Sequence, residues 1–159
     1  MGYTVSGVPQ REDRRVSCMK VGDIEISEDV YYTTDHEWAL IEEGGFVKVG
    51  TSDYAQKMLH EIVFVQLPEK DAQFNQKDIL GSMESTKAVA DVYSPVAGQV
   101  VEVNEALTES PELINQDPYG KGWFARLKPA NIKELENLMK ADKYVQFVKE
   151  LLEKEKEAK

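Results

Sequence analysis

Cysteine, histidine and long apolar runs are all scarce in this chain of 159 residues. Cys18 is the single cysteine, so no internal disulfide and no thiolate metal cluster can form, and we interpret this thiol as a bystander. The two histidines, His36 and His60, are too few for a zinc site without help from carboxylates. We therefore predict no bound metal and a reducing compartment, the cytoplasm.

Apolar stretches of membrane-spanning length are absent from the sequence, and the N-terminus lacks the apolar core that a secretory signal requires. Basic residues are also in deficit, 19 against 29 acidic ones, which gives a formal net charge of -10. This charge argues against binding to phosphate backbones and favours protein partners with basic docking surfaces. We expect neither nucleic acid nor a membrane among the partners.

Short apolar segments that alternate as strands do make up most of the chain, so we predict one mainly β domain. Residues 1–26 are predicted to be an N-terminal extension, either a mobile arm or an addition to a sheet edge. Residues 27–129 are predicted to form the β domain. Residues 130–159 are predicted to form C-terminal helices that pack on this domain and fray at the end.

Capping residues indicate where the predicted helices begin. Ser52 is predicted to cap a brief helix that ends near His60, and Ser110 to cap a second one. Asn131 with Glu134 resembles a capping box at the start of the C-terminal helices.

The last predicted helix carries an apolar stripe formed by Tyr144, Phe147, Val148, Leu151 and Leu152. Such a stripe has to cover an apolar surface. Packing back onto the domain is favoured over the alternative, a partner-binding helix.

Lys87 lies between two strand-like runs, at the predicted tip of their hairpin. A catalytic lysine usually needs burial or a neighbouring cation to lower its pKa, whereas a lysine on a turn near Glu84 is held in water. An exposed, charged amine suits a modifying enzyme. We therefore interpret Lys87 as an attachment point rather than as a catalytic residue.

Several separated motifs agree, in order, with one known family. They are Asp35 to Trp38, Val49-Gly50, Tyr54 to Gln56, Val63 to Glu69, Glu84 to Ala88, Tyr93 to Gly98, Val103-Asn104, Ser110 to Leu113, Asp117 to Tyr119 and Gly122-Trp123. From about Val30 to Tyr144 the chain resembles the H protein of the glycine cleavage system, a lipoyl carrier. A lone Glu-Ser-x-Lys-Ala would be a weak signal, but the ordered set is highly specific.

The resemblance implies a flattened barrel of two antiparallel sheets, with lipoic acid amide-linked to Lys87. Biotin carriers place methionines on both sides of their lysine, whereas Thr86 and Ala88 flank Lys87 here, so biotin is disfavoured. Glu84 lies three residues before the lysine, where the resemblance implies that a lipoate-attaching enzyme reads the carrier. Its alternative role is to stabilise the turn.

The resemblance also implies a carrier that is not itself an enzyme and that visits three enzymes in turn. A pyridoxal-phosphate-dependent glycine decarboxylase loads an aminomethyl group onto the lipoyl arm, and an aminomethyltransferase passes the one-carbon unit to tetrahydrofolate. A flavin-dependent dihydrolipoyl dehydrogenase then reoxidises the dithiol. A carrier that docks serially with larger enzymes is expected to be a monomer.

Glu37 and Asp91 match the family positions that face a cleft for the loaded arm, where a carboxylate would pair with the ammonium group. Asp35 falls where many members carry a small hydroxyl residue, and it could add or replace a contact. The alternative is that Glu37 and Asp91 are surface strand residues. His36 is equally compatible with a hydrogen bond in the cleft and with a structural role, and Trp38 is assigned to the core.

Two residues depart from the family pattern. Tyr54 stands where a histidine is common, and His60 stands where a glycine usually ends the short helix, often with a positive φ. These departures, with the longer termini, keep two other hypotheses open. One is an H-like lipoyl protein of another pathway, such as sulfur oxidation or lipoyl relay, and the other is an unmodified interaction module that retains only the fold.

Overall fold

The computed structural model describes residues 18–157. Eleven strands are present in this part of the chain: β1 Cys18–Val21, β2 Ile24–Ser27, β3 Tyr31–Tyr32, β4 Glu37–Ile41, β5 Val47–Thr51, β6 Ile62–Gln66, β7 Gln73–Phe74, β8 Ile79–Ser85, β9 Val89–Tyr93, β10 Gly98–Val103 and β11 Ala125–Pro129. The α-helices in the same range are α1 Asp53–Leu59, α2 Ala106–Glu109, α3 Leu113–Gln116 and α4 Ala141–Glu157. Short 3-10 helices span Glu43–Gly45 and Ile132–Asn137.

Two antiparallel sheets enclose the main hydrophobic core. One sheet has six strands in the order β3-β4-β5-β11-β10-β7, and the other has three in the order β6-β8-β9. Alternate side chains of both sheets point between them, as strand geometry requires, and Val49, Val92, Val100 and Leu127 are fully buried there. The predicted fold class, a mainly β fold of two antiparallel sheets with short helices and a C-terminal helix, is confirmed.

A second core lies outside the space between these two sheets, where the β1–β2 hairpin and β3 meet α4. The hairpin contributes Val21, Ile24 and Ile26 to this core. The apolar stripe of α4 packs here, and the rings of Tyr144 and Tyr32 stack with their centroids 3.9 Å apart. The stripe therefore covers the domain itself.

The N-terminal hairpin argues against a mobile arm for part of the predicted extension, residues 1–26. Residues 18–26 are part of β1, β2 and their turn, and Ile26 is fully buried, so this portion is folded. Residues 1–17 lie outside the described residues.

The predicted caps have mixed outcomes. The Ser52 hydroxyl oxygen accepts the N–H of Ala55 at the start of α1, as predicted. Ser110 does not cap a helix with its side chain, because α3 starts only at Leu113. The Asn131 side chain does cap its 3-10 helix, but the Glu134 carboxylate accepts the N–H of Ala97, at 2.7 Å, rather than closing a capping box.

Candidate functional site

Lys87 lies in the turn between β8 and β9, and its side chain is exposed. The two strands pair antiparallel up to Glu84 and Val89, so the turn is confined to the few residues between them. The N–H of Thr86 also donates to the carbonyl of Glu61, at 3.2 Å, which fastens the turn to the residue before β6. The structure thus places Lys87 at the tip of a hairpin, as predicted.

Ser85 organises this turn, a role that was not predicted from the sequence. Its hydroxyl oxygen accepts the N–H groups of Lys87, at 3.1 Å, and of Ala88, at 2.9 Å, and it also lies 3.1 Å from the carbonyl of Ala88, to which it can donate. Ser85 is buried, with 6% of its surface exposed. Serine side chains that bind the backbone two or three residues ahead are typical of turns, so the signal was present in the sequence.

Glu84 and Asp91 lie on the outward face of the three-stranded sheet, and both are exposed. Glu84 pairs with Val89, one row from the tip, and Asp91 pairs with Ser82 farther along. Asp91 and Ser82 line a cavity of about 330 Å³, together with residues of β8 and the segment 66–69. A carboxylate in this cavity is accessible to a ligand.

Glu37 is almost completely buried, with 1% of its surface exposed. One carboxyl oxygen accepts the hydroxyl of Thr33, at 2.6 Å, and the other accepts the N–H of Tyr93, at 3.1 Å. Burial raises the pKa of this carboxyl to about 7, although both hydrogen bonds act in the opposite direction. Glu37 therefore does not fit the alternative that it is a surface strand residue.

Glu37 contacts β9, the strand that contains Asp91, but only Asp91 lines the cavity. The acceptor oxygen of Glu37 binds the backbone of β9 two residues after Asp91. The residues around the 330 Å³ cavity include Asp91 but not Glu37. Asp35 is exposed on the loop before β4, and its charge contributes to the raised pKa of Glu37.

His36 contacts the C-terminal helix rather than an open cleft. Its Nδ1 lies 2.8 Å from the hydroxyl of Tyr144, which also lies 2.7 Å from the Ser52 hydroxyl. Burial lowers the pKa of His36 to about 4, against the opposing effect of Asp35, so its imidazole is neutral near neutral pH. This geometry favours the structural role for His36.

Trp38 lies in the core, as assigned from the sequence. It has 1% of its surface exposed, and its indole N–H donates to the carbonyl of Pro118. Gly50 lies against the indole, and a Cβ added there would come within 2.5 Å of Trp38.

Tyr54 and His60, the two departures from the family pattern, border a cavity of about 700 Å³ between α1, α3, the β1–β2 turn and α4. The Tyr54 hydroxyl donates to the Glu155 carboxylate, at 3.0 Å, so this tyrosine ties α1 to the C-terminal helix. His60 ends α1 with φ 68° and ψ -150°, a conformation that suits glycine and strains a histidine. The expected positive φ at this position is present.

Neither a metal-binding cluster nor a membrane-spanning helix is present among residues 18–157. Among residues 18–157, no group of three or more His, Cys, Asp or Glu side chains could hold a metal ion. No helix in that range is long and apolar enough to cross a membrane. Cys18 is half-buried, and burial raises the pKa of its thiol, which lowers its reactivity.

Comparisons with known proteins agree with this arrangement. The family model described as Glycine cleavage H-protein matches residues 30–151. A probable glycine cleavage system H protein from Pyrococcus horikoshii is 50% identical over 134 residues, which cover 84% of this chain and 99% of that protein. Glycine cleavage system H protein 4 from Aquifex aeolicus is 48% identical over 137 residues, covering 86% and 80% of the two chains.

The fold comparison leads to the same group. A crystal structure of a glycine cleavage system H protein from Mycobacterium marinum superposes with a TM-score of 0.70 and 40% identity, over 76% of this chain and 97% of that one. These matches confirm the resemblance inferred from the sequence, and with it the assignment to the carrier component of the glycine cleavage system, which is not itself an enzyme. The chain belongs to the glycine cleavage H-protein family.

Proposed function

We propose that this chain carries lipoic acid in amide linkage on Lys87 and uses it as the mobile carrier of glycine cleavage. The observation that supports the proposal is the exposed Lys87 on a turn that Ser85 holds in place, in a chain of this family. When bound, lipoate supplies a dithiolane disulfide that takes up an aminomethyl group and afterwards passes on reducing equivalents. The partners are a glycine decarboxylase, an aminomethyltransferase, a dihydrolipoyl dehydrogenase and a lipoate-attaching enzyme.

The residues of the turn fit an attached arm. The Lys87 side chain is exposed, so acylation of its amine would remove no buried contact. The N–H groups of the turn are held by Ser85 and by the Glu61 carbonyl, so the base of the arm stays fixed. A fixed base with a long flexible arm gives the carried group a high local concentration at each docked active site.

Three carboxylates are proposed to hold a cationic load on the arm in two ways. Asp91 and Asp35 are exposed and can pair with an ammonium group directly. Glu37 is already held by Thr33 and Tyr93, so its contribution is electrostatic. A cation nearby would favour the ionised form of Glu37, whose pKa is about 7 without one.

The intact mass of the chain from its native host tests the attachment. We expect a lipoyl increment on the native chain and its loss in Lys87→Arg, which keeps the charge but offers no acylatable amine. An unmodified native chain would support an interaction module instead.

A second measurement tests the load. The lipoylated chain is incubated with glycine and glycine decarboxylase, and we expect a glycine-dependent increase in intact mass. A lipoylated chain that gains no such mass would be assigned to another lipoyl pathway. We also propose a cytoplasmic monomer, which size-exclusion chromatography with light scattering and cell fractionation would test.

A further inference from the structure

The segment 60–62 connects α1 to β6 and supports the turn at Lys87. Its central carbonyl, on Glu61, accepts the N–H of Thr86, at 3.2 Å. Its last residue pairs with Ser85, whose hydroxyl holds the N–H groups of the turn. The place of this segment in the fold therefore sets where the turn lies.

The first residue of the segment, His60, is strained. Its φ of 68° and ψ of -150° lie in a region that is essentially restricted to glycine. Another residue persists in such a conformation only where its surroundings hold it there. The N–H of His60 is bound to the carbonyl of Gln56 in α1, at 2.8 Å. The carbonyl of His60 and the N–H of Ile62 need partners from elsewhere in the fold.

Asn115 of α3 supplies both of these partners. Its Nδ2 donates to the His60 carbonyl, at 2.8 Å, and its Oδ1 accepts the N–H of Ile62, at 2.9 Å. These bonds fix the orientation of the carboxamide, because a backbone carbonyl can only accept and a backbone N–H can only donate. Nδ2 also donates to the side-chain oxygen of Gln56, at 2.8 Å, which ties the same group to α1. One side chain thus does for the segment what a neighbouring strand would do.

The helix that carries Asn115 is anchored in the main core. As a single turn of four residues, α3 is too short to be stable alone, but Ile114 is buried there with 1% of its surface exposed. Gly122 lies against this helix, and a Cβ added at Gly122 would come within 2.6 Å of the Leu113 carbonyl. Asn115 therefore projects from a fixed element onto a strained one.

We propose that Asn115 is a positioning residue for Lys87. Successive carbonyls of an extended chain point to opposite sides, so Asn115 binds the segment 60–62 from one side and Thr86 binds it from the other. By holding the segment, Asn115 keeps the Glu61 carbonyl where the N–H of Thr86 can reach it. Its effect on Lys87 is indirect, through the segment and the backbone of the turn. This inference rests on the proposed attachment at Lys87.

Amide hydrogen exchange of the full chain, followed residue by residue by NMR, tests this link. In Asn115→Ala we expect the Thr86 amide to exchange about tenfold faster or more than in the native chain, because the Glu61 carbonyl is no longer held in place. Asn115→Asp retains an acceptor for the N–H of Ile62 but loses both donors. It should also accelerate exchange at Thr86, and it provides a second variant if Asn115→Ala does not fold.

Asn104 provides a matched control. Its Nδ2 donates to the carbonyls of Lys121 and Trp123, each at 2.8 Å, and 7% of its surface is exposed. Asn104→Ala therefore also deletes an amide that joins two backbone carbonyls, but it should leave exchange at Thr86 within about twofold of native. Each variant is measured equally far below its own midpoint of thermal unfolding, so that a general loss of stability does not enter the comparison.

Acylation of Lys87 provides the functional readout. The unmodified chain is incubated with a purified lipoate–protein ligase, lipoate and ATP, and the lipoyl increment is followed by intact mass. If the turn leaves its place in most molecules, only the remaining fraction can bind the ligase, and KM rises in inverse proportion to that fraction. For Asn115→Ala we expect KM to rise about threefold or more, with kcat within about twofold of native. Asn104→Ala should leave both constants unchanged.

The outcomes separate this inference from the proposed function. Native exchange at Thr86 in the Asn115 variants, or equal acceleration in Asn104→Ala, would overturn the positioning role and leave Lys87 as the attachment site. Faster exchange with an unchanged KM would overturn it as well, since acylation would then not depend on the place of the turn. Failure of the ligase to acylate the native chain at Lys87, with no lipoyl increment in the host, would instead reject the proposed function.

Discussion

The polar residues of the functional region form two sets that differ in exposure. Lys87 and Glu84 lie in water at the end of the three-stranded sheet. Glu37 of β4 and Tyr144 of α4 are buried, and His36, which contacts Tyr144, is half-buried. The exposed set can change without disturbing the packing. In this second set His36 contacts the C-terminal helix, and burial shifts the pKa values of all three groups, so fold and electrostatics are coupled there.

Removing the Tyr144 side chain should have the largest effect on stability. Its ring stacks on Tyr32, and its hydroxyl lies within hydrogen-bonding distance of His36 and Ser52, both of which would lose a buried partner. We expect Tyr144→Ala to lower the free energy of unfolding by about 3–5 kcal/mol in urea denaturation. Lys87→Ala, from the exposed set, should change it by less than about 0.5 kcal/mol. A loss below about 1 kcal/mol in Tyr144→Ala would erase the contrast between the two sets.

Glu37 should make stability depend on pH. Its pKa is about 7 in the fold, mainly because of burial, against 4.5 as its ordinary value. Between these pH values the folded chain binds more protons than the unfolded chain, so stability falls as pH rises, by about 3 kcal/mol. Glu37→Gln removes this loss, since an amide does not titrate in this range and its oxygen can still accept the N–H of Tyr93. Urea denaturation from pH 4 to 8 should show the free energy of unfolding of the variant increasing relative to that of the native chain as pH rises.

His36 should make stability depend on pH in the opposite direction. Its pKa is lowered from 6.5 to about 4, so the unfolded chain binds more protons in that window and stability falls as pH falls. In the native chain the two contributions offset each other between about pH 4.5 and 6.5. In Glu37→Gln the free energy of unfolding should therefore rise with pH, and in His36→Asn it should fall with pH. Asparagine is chosen because it tolerates the φ of 75° at this position. Identical pH profiles in all three chains would contradict this account.

His60 should give the smallest effect, and one of opposite sign. It is exposed, and its backbone adopts a conformation that is essentially restricted to glycine. We expect His60→Gly to raise the free energy of unfolding by about 1 kcal/mol, measured by urea denaturation. Met58→Gly, inside the same helix at 45% exposure, should lower it by a similar amount. Destabilisation by His60→Gly would show that the imidazole contributes more than the strain costs.

Local signals predicted much of the fold. Strand alternation, turn residues and the Ser52 cap were readable from neighbouring residues, and the position of Lys87 in a turn followed from the two runs around it. The β1–β2 hairpin was left as an alternative because its apolar residues gain their burial from α4, more than 100 residues later in the chain. Long-range packing of that kind leaves little trace in a local pattern.

The candidate site was predicted less evenly. Exposure of Lys87, Glu84 and Asp91 follows from their place near a turn or on an outward face. The burial of Glu37 does not, because a glutamate that begins a strand is ordinarily solvated. Its hydrogen bonds come from Thr33, four residues earlier, and from the backbone of β9, 56 residues later. The bond from β9 exists only because the two sheets pack together, which the residues around Glu37 do not reveal.

The hydrogen bonds of Ser85 have a consequence for the range of movement of an attached arm. They hold the backbone at Lys87, so the arm would pivot from one fixed point and its motion would come only from side-chain and lipoyl torsions. The volume that its far end can reach is then a dome over the turn whose position relative to the domain does not change. An enzyme could reach a group carried on such an arm only by docking with its active site inside this dome.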